Sequence, residues 1–261
     1  MDVVISPTSL TAAERAGATV AAAIRQNPRL VLGVATGSSP LGIYEYVKDQ
    51  IENHGLDVSA ISCFALDEYV GLPDNHPESY HEVVAATVTR PWGLRAEQVN
   101  VPAGNTGDPR RAALDYDQAI KNAGGVDLQI VGIGGNGHIG FNEPGSSLGS
   151  RTRVKTLHPR TREDNARFFG GDVNAVPIHC VTQGIGTILD AKLVVMIASG
   201  AGKADAIAKM VEGAVSSGCP ASALQLHPHV DVFVDDAAAG DLEHRDYYEF
   251  AVANAHLVPG A

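Results

Sequence analysis

The chain has 261 residues, 44% hydrophobic and 19% charged, with a formal net charge of −11. That length suffices for a large core, and the acidic balance leaves no broad basic face for nucleic acid, although a small anion remains a suitable partner. Cys63, Cys180 and Cys219 form no close pair, so neither a disulfide framework nor a zinc ribbon is indicated.

MDVVISPTSL has no basic leader followed by an apolar core, and no apolar run approaches the roughly 20 residues that span a bilayer. The expectation is a cytoplasmic protein without a membrane partner, one domain over 1–261, beginning directly with its first strand. Along it, RLVLGVAT (29–36), SAISCFAL (59–66), VDLQIVGIG (126–134), KLVVMIAS (192–199) and VDVFVD (230–235) read as buried strands. Between them TAAERAGATVAAAIRQ, PLGIYEYVKDQIENH, DPRRAALDYDQAIKNAG and GKADAIAKMVEG have helical spacing. This alternation predicts an α/β fold, a doubly wound, mostly parallel sheet covered on both faces. The stretch from 140 to 182 reads as richer in loops and arginine.

In such sheets ligands bind beyond the carboxyl ends of the strands, and the polar loops fall there. Thr36-Gly37-Ser38-Ser39-Pro40 follows the first run and opens a helix, an arrangement suited to phosphate; it reads equally as a turn with a serine N-cap. Ser199-Gly200-Ala201-Gly202-Lys203 repeats the pattern and adds a cation, against which stands an ordinary surface lysine. Asp67 follows the second run, placed either as a general base or as a cap. In Gly134-Gly135-Asn136-Gly137-His138-Ile139-Gly140-Phe141-Asn142-Glu143-Pro144, a proton-transfer imidazole lies five residues before a carboxylate that would orient it. The remaining histidines show no spacing that completes a metal site, and no serine lies in a nucleophile elbow.

LDEYVGL (66–72), HPESYH (76–81), GNGHIGFNEPGSSLGSRTRVKTL (135–157), NARFF (165–169) and VTQGIGTILDA (181–191), in this order, resemble glucosamine-6-phosphate deaminases over nearly the whole chain. The resemblance implies a Rossmann-like fold and the conversion of glucosamine 6-phosphate and water to fructose 6-phosphate and ammonia, with no cofactor and no metal. It implies the class of a hydrolase acting on carbon–nitrogen bonds with isomerisation. By matching position, Asp67 would move a proton between carbons 2 and 1, His138 would assist ring opening, and Glu143 would orient His138. Thr36, Gly37, Ser38, Ser39, Arg167 and Lys203 would hold the phosphate.

At Asn136 a hexameric branch of the family has aspartate, so His138 would rely on Glu143 for negative charge. That branch binds N-acetylglucosamine 6-phosphate as an allosteric effector between subunits, through residues matching Ser146, Arg153, Lys155 and Thr156. The segment reads equally as packing beside the active-site loop. An aromatic from the C-terminal tail, Tyr247 or Tyr248, would complete such a site, and the resemblance leaves both a hexamer and a monomer open. Three competing functions stand beside the deaminase. They are a 6-phosphogluconolactonase, in which FNEP is not expected, an enzyme for the galactosamine epimer, and a non-catalytic sugar-phosphate sensor.

Overall fold

The computed structural model describes residues 1–255. Among the described residues ten strands and eight α-helices follow one another along the chain. The first half runs β1 (Asp2–Ser6), α1 (Ser9–Gln26), β2 (Val31–Val34), α2 (Leu41–His54), β3 (Ser62–Ala65), β4 (Asp67–Tyr69), α3 (Tyr80–Val84), β5 (Val99–Asn100) and α4 (Pro109–Asn122). It continues through β6 (Leu128–Val131), β7 (Arg153–Thr156), α5 (Pro159–Asn165), β8 (His179–Thr182), α6 (Ile185–Leu189), β9 (Leu193–Ala198), α7 (Ala204–Val211), β10 (Val230–Asp235) and α8 (Arg245–Asn254).

Local chemistry sets the helix ends. Thr8 caps α1 by accepting from the amide of Thr11, and Asp108 caps α4 by accepting from Arg111, with Pro109 in the first turn. The buried face of α1 is built from small residues, Ala12, Ala13, Ala16 and Gly17, which let α2 approach closely. A Cβ at Gly17 would stand 2.7 Å from the Tyr46 side chain.

Seven strands form a parallel sheet in the order β1-β10-β9-β6-β2-β3-β5. The central strands are buried on both faces, as the continuous runs predict. From β2 the chain works outward through β3 and β5; from β6 it works the other way through β9 and β10. With right-handed crossovers, this reversal puts helices on opposite faces and opens a crevice between the ends of β2 and β6. The fold is therefore doubly wound α/β and Rossmann-like.

The DVVIS segment, where the chain begins, forms edge strand β1, paired along its whole length with β10. Two features differ from the sequence reading. Asp67–Tyr69, read as a loop, is strand β4 of a second, antiparallel sheet ordered β4-β8-β7, and the stretch from 140 to 182 holds β7, α5 and β8. This small sheet covers its own cluster of Tyr69, Phe141, Leu157, Val176 and Cys180. Finally, α7 starts at Ala204, preceded by a 3-10 turn at Ala201–Lys203.

Candidate active site

A cavity of about 440 Å3 lies at the switch point. Its walls include the loop after β2, Asp67 after β3, His138 after β6, Lys203 after β9 and Arg167 after α5. The cavity thus gathers Thr36, Gly37, Ser38, Ser39, Asp67, His138, Arg167 and Lys203.

One corner is basic. Lys203 sits in the 3-10 turn after β9, and Arg167 in the turn Ala166–Phe168, its guanidinium 4.7 Å over the Phe168 ring. Burial lowers the Lys203 pKa, and the charge of Arg167 lowers it further against the opposing carboxylate of Asp164. A lysine whose charge is disfavoured by burial and by a neighbouring guanidinium sits in a corner that an anion relieves. The Thr36–Ser39 loop reaches this cavity through a glycine at φ +91°, and the N-cap of α2 is Pro40, with no side-chain cap. The serine N-cap alternative is therefore not realised, and both serines face the cavity's chemistry.

The same cavity holds groups suited to proton transfer. Asp67 is 4% exposed, and its pKa is raised well above the carboxylate range by burial, with the charge of Glu68 adding to the effect and the amide of Phe141 opposing it. Glu68 itself accepts from the amides of Tyr69, Tyr80 and His81 and the hydroxyl of Ser79, which ties β4 to the start of α3. Gly140 brings the His138 loop against Asp67: a Cβ there would stand 3.2 Å from Asp67 Oδ2, and φ is +53°.

His138 is only slightly exposed. Its pKa is lowered by burial, with Lys203 adding to the effect and Glu143 and Asp164 opposing it. Its Nδ1 lies 2.7 Å from Asn136 Oδ1, while Asn136 Nδ2 donates to Glu143 Oε2 at 3.0 Å. The carboxylate can only accept, so it fixes which end of the amide faces the ring. An amide oxygen can likewise only accept, so Nδ1 carries the proton and Nε2 keeps a free lone pair. Glu143 stands 3.7 Å from Nδ1 and acts on the ring through Asn136. The sequence reading assigned direct orientation to Glu143; the structure gives that contact to Asn136, because the amide occupies the space between them. Thr161 Oγ1 donates to Glu143 Oε1 at 2.5 Å.

The cavity also includes Tyr80, Thr161, Asp164 and Asn165. Sequence reasoning quoted HPESYH and NARFF but did not single these out; Tyr80 and Thr161 look like ordinary interior residues until α3 and α5 fold over the crevice. The proposed effector residues lie elsewhere. Arg153, Lys155 and Thr156 are on β7, and the Ser146 hydroxyl is buried without a hydrogen-bond partner among the described residues. Tyr247 and Tyr248 are on α8. Among the described residues no group of three or more His, Cys, Asp and Glu gathers as a metal site, and none of their helices is long and apolar enough to cross a membrane.

A basic corner, a buried carboxylate and an oriented imidazole in one cavity at the switch point are the features of an α/β proton-transfer site for a small phosphorylated molecule. Residues 7–233 match the family described as glucosamine-6-phosphate isomerases/6-phosphogluconolactonase, and the chain belongs to that family. A glucosamine-6-phosphate deaminase of Streptomyces avermitilis is 53% identical over 253 residues, covering 97% of each chain. One from Bifidobacterium longum is 52% identical over 258 residues, covering 96% of each. Among solved structures, a monomeric glucosamine-6-phosphate deaminase superposes with a TM-score of 0.90 at 38% identity, over 92% of this chain and 100% of that one. A 6-phosphogluconolactonase from Trypanosoma cruzi, with a TM-score of 0.75 at 17% identity over 93% of this chain and 97% of that one, shares the fold alone.

These matches correct the expected class. The family description is of isomerases and the close relatives are named deaminases, so the assignment as a hydrolase of carbon–nitrogen bonds falls and isomerising deaminase replaces it.

Proposed function

We propose that this chain converts glucosamine 6-phosphate and water to fructose 6-phosphate and ammonia. The observation that carries the reading is the Lys203–Arg167 corner sharing one cavity with buried Asp67 and with His138. Thr36, Gly37, Ser38 and Ser39 join the two cations in holding the phosphate, which fixes the sugar so that its first carbons reach Asp67 and His138. His138 takes the anomeric hydroxyl proton on Nε2 and returns a proton to the ring oxygen as the ring opens. Asp67 then carries a proton from carbon 2 to carbon 1 while a proton of the amine passes to the carbon 1 oxygen, and water adds to the iminium left at carbon 2, supplying the ketone oxygen and releasing ammonia. Its raised pKa brings the carboxylate nearer the strength that a base needs at neutral pH. Asn136 and Glu143 hold the imidazole in the tautomer this requires.

The test is the stoichiometry of ammonia and fructose 6-phosphate formed from glucosamine 6-phosphate, with and without EDTA. Equal amounts, unaffected by chelation, support the reading. No ammonia, with hydrolysis of 6-phosphogluconolactone instead, overturns it. The galactosamine epimer, run in parallel, decides epimer preference. Three free cysteines suit a reducing cytoplasm as the place of action.

A second binding site for N-acetylglucosamine 6-phosphate is favoured by one observation. Arg153 is half-buried without a carboxylate partner among the described residues, and burial lowers its pKa. It donates to Asn142 Oδ1 at 2.7 Å, and Asn142 in turn donates to the carbonyl of Ile139, beside His138. An effector anion on Arg153 would thus pull on the active-site loop. Substrate-saturation curves with and without this sugar phosphate, alongside sedimentation to separate monomer from hexamer, test it; superimposed curves remove the site.

A further inference from the structure

The turn carrying Lys203 is held from the neighbouring strand. After β9 the chain turns at Gly200, with φ +86°, and the Gly200 amide points at the carboxylate of Asp235, 2.9 Å from Oδ1 and 3.1 Å from Oδ2. Asp235 is the last residue of β10, which lies parallel to β9 in the sheet, and it is 9% exposed. Its Oδ1 also accepts from the amide of Ala238 at 2.8 Å, and among the described residues no cation pairs with it. On the other side of the turn, the Lys203 amide donates to the Gly200 carbonyl at 3.0 Å. One peptide turn therefore joins a buried carboxylate to the lysine of the basic corner.

A carboxylate close to an anion site is electrostatically unfavourable unless its lone pairs hold something in place. Here they take two backbone amides, just past the ends of β9 and β10, that would otherwise be left unpaired. The matched family region ends at residue 233, two positions before Asp235.

We propose that Asp235 is a positioning residue for substrate phosphate, acting through the Gly200 turn to set Lys203 in the basic corner. The inference rests on Lys203 being a phosphate ligand. Asp235 touches no substrate, and its loss acts on binding and leaves proton transfer by Asp67 and His138 intact.

The experiment is a double-variant cycle read as KM against kcat. Asp235→Ala raises KM for glucosamine 6-phosphate about tenfold or more, as expected for losing hydrogen bonds to a charged acceptor, with kcat within about threefold of the wild type. Asp235→Asn keeps an oxygen that can accept from both amides, so its KM stays within about threefold of the wild type. In a Lys203→Ala background, Asp235→Ala changes KM by less than about twofold, because the group it positions is gone. Equal effects of Asp235→Ala in both backgrounds, or a fall in Tm with KM unchanged, would overturn the proposal. Failure of the underlying reading shows separately, as an unchanged KM for Lys203→Ala alone. Should Asp235→Ala not fold, Gly200→Ala perturbs the same turn. A Cβ there meets nothing within 4 Å, so the change acts through backbone strain alone. It is expected to raise KM with the same dependence on Lys203, and a wild-type KM in that variant overturns the proposal.

Discussion

Asn136 stands between His138 and Glu143 as an oriented amide, 2.7 Å from the imidazole Nδ1 through its oxygen and 3.0 Å from the carboxylate through its nitrogen. The contact is neutral on the imidazole side, so it sets the tautomer without drawing a second proton onto the ring. Burial already pushes the His138 pKa down from its ordinary value. Turnover needs the neutral ring, so activity falls as pH drops through this pKa. Asn136→Asp places a charge against Nδ1 and favours the imidazolium, moving the acid limb of the kcat/KM profile upward by about one pH unit. A pH profile of the variant checks this; an unmoved limb shows that His138 does not titrate in the rate-limiting form.

For Asp67, activity and stability are expected to part company. Asp67→Asn keeps the shape and removes the base, so kcat falls by about two to four orders of magnitude while substrate still binds. The folded-state pKa is raised, so protonated Asp67 contributes stability that is full below the unfolded pKa of about 3.9 and is lost as pH rises through the folded value. At pH 7 the wild type therefore carries a penalty that the amide does not, and Tm of Asp67→Asn exceeds that of the wild type, the gap closing toward pH 3. Thermal melts across this range and steady-state kinetics give the two readings. Near-normal turnover removes Asp67 from the mechanism.

At the basic corner, Lys203→Ala is expected to raise KM while kcat changes little, since phosphate binding serves ground and transition states alike. Arg167→Lys is expected to weaken binding too, because a point charge replaces a planar fork that stacks on Phe168. Initial rates against substrate concentration decide both. A KM unchanged in Lys203→Ala places the phosphate elsewhere.

Much of this was legible in the chain. The five buried strands stand out as continuous apolar runs because a parallel sheet is covered on both faces, and the loops that follow them are where ligands meet such sheets. The second sheet was not legible. Asp67–Tyr69 is three residues long and begins with two carboxylates, which read as a polar loop at the crevice; only tertiary packing makes it a buried strand. RVKT on β7 alternates basic and apolar residues at intermediate burial, with no run to mark it. Asn136 was visible as a departure from aspartate, but its place between imidazole and carboxylate depends on the tight loop. There, a Cβ at Gly134 would fall 2.2 Å from the His138 ring. Asp235 looked like the end of a strand, because its use is defined by two backbone amides that no side-chain pattern records.

Asp117 on α4 joins segments far apart in sequence. Its Oδ1 accepts from Thr152 and Thr187 hydroxyls, both at 3.0 Å, and Lys121 and Arg151 approach at 2.9 and 3.3 Å. These contacts tie α4 to the stretch before β7 and to α6, behind the active-site loops. Burial opposes ionisation, but the bonds from Lys121 and Thr187 and the charge of Arg151 outweigh it and bring the pKa down to about 2. A depressed folded-state pKa contributes stability that is present above the unfolded value of about 3.9 and is lost as pH falls toward 2. Asp117→Asn is therefore expected to cost about 1–2 kcal/mol at pH 7, less than the shift alone implies, because Lys121 and Arg151 remain solvent-screened. Denaturant melts at pH 7 and near pH 2.5 measure it, with kcat as a control that stays within about threefold, since Asp117 does not line the cavity. The difference between variant and wild type should shrink at the lower pH. A difference of the same size at both values would mean that shape, and not charge, makes Asp117 matter.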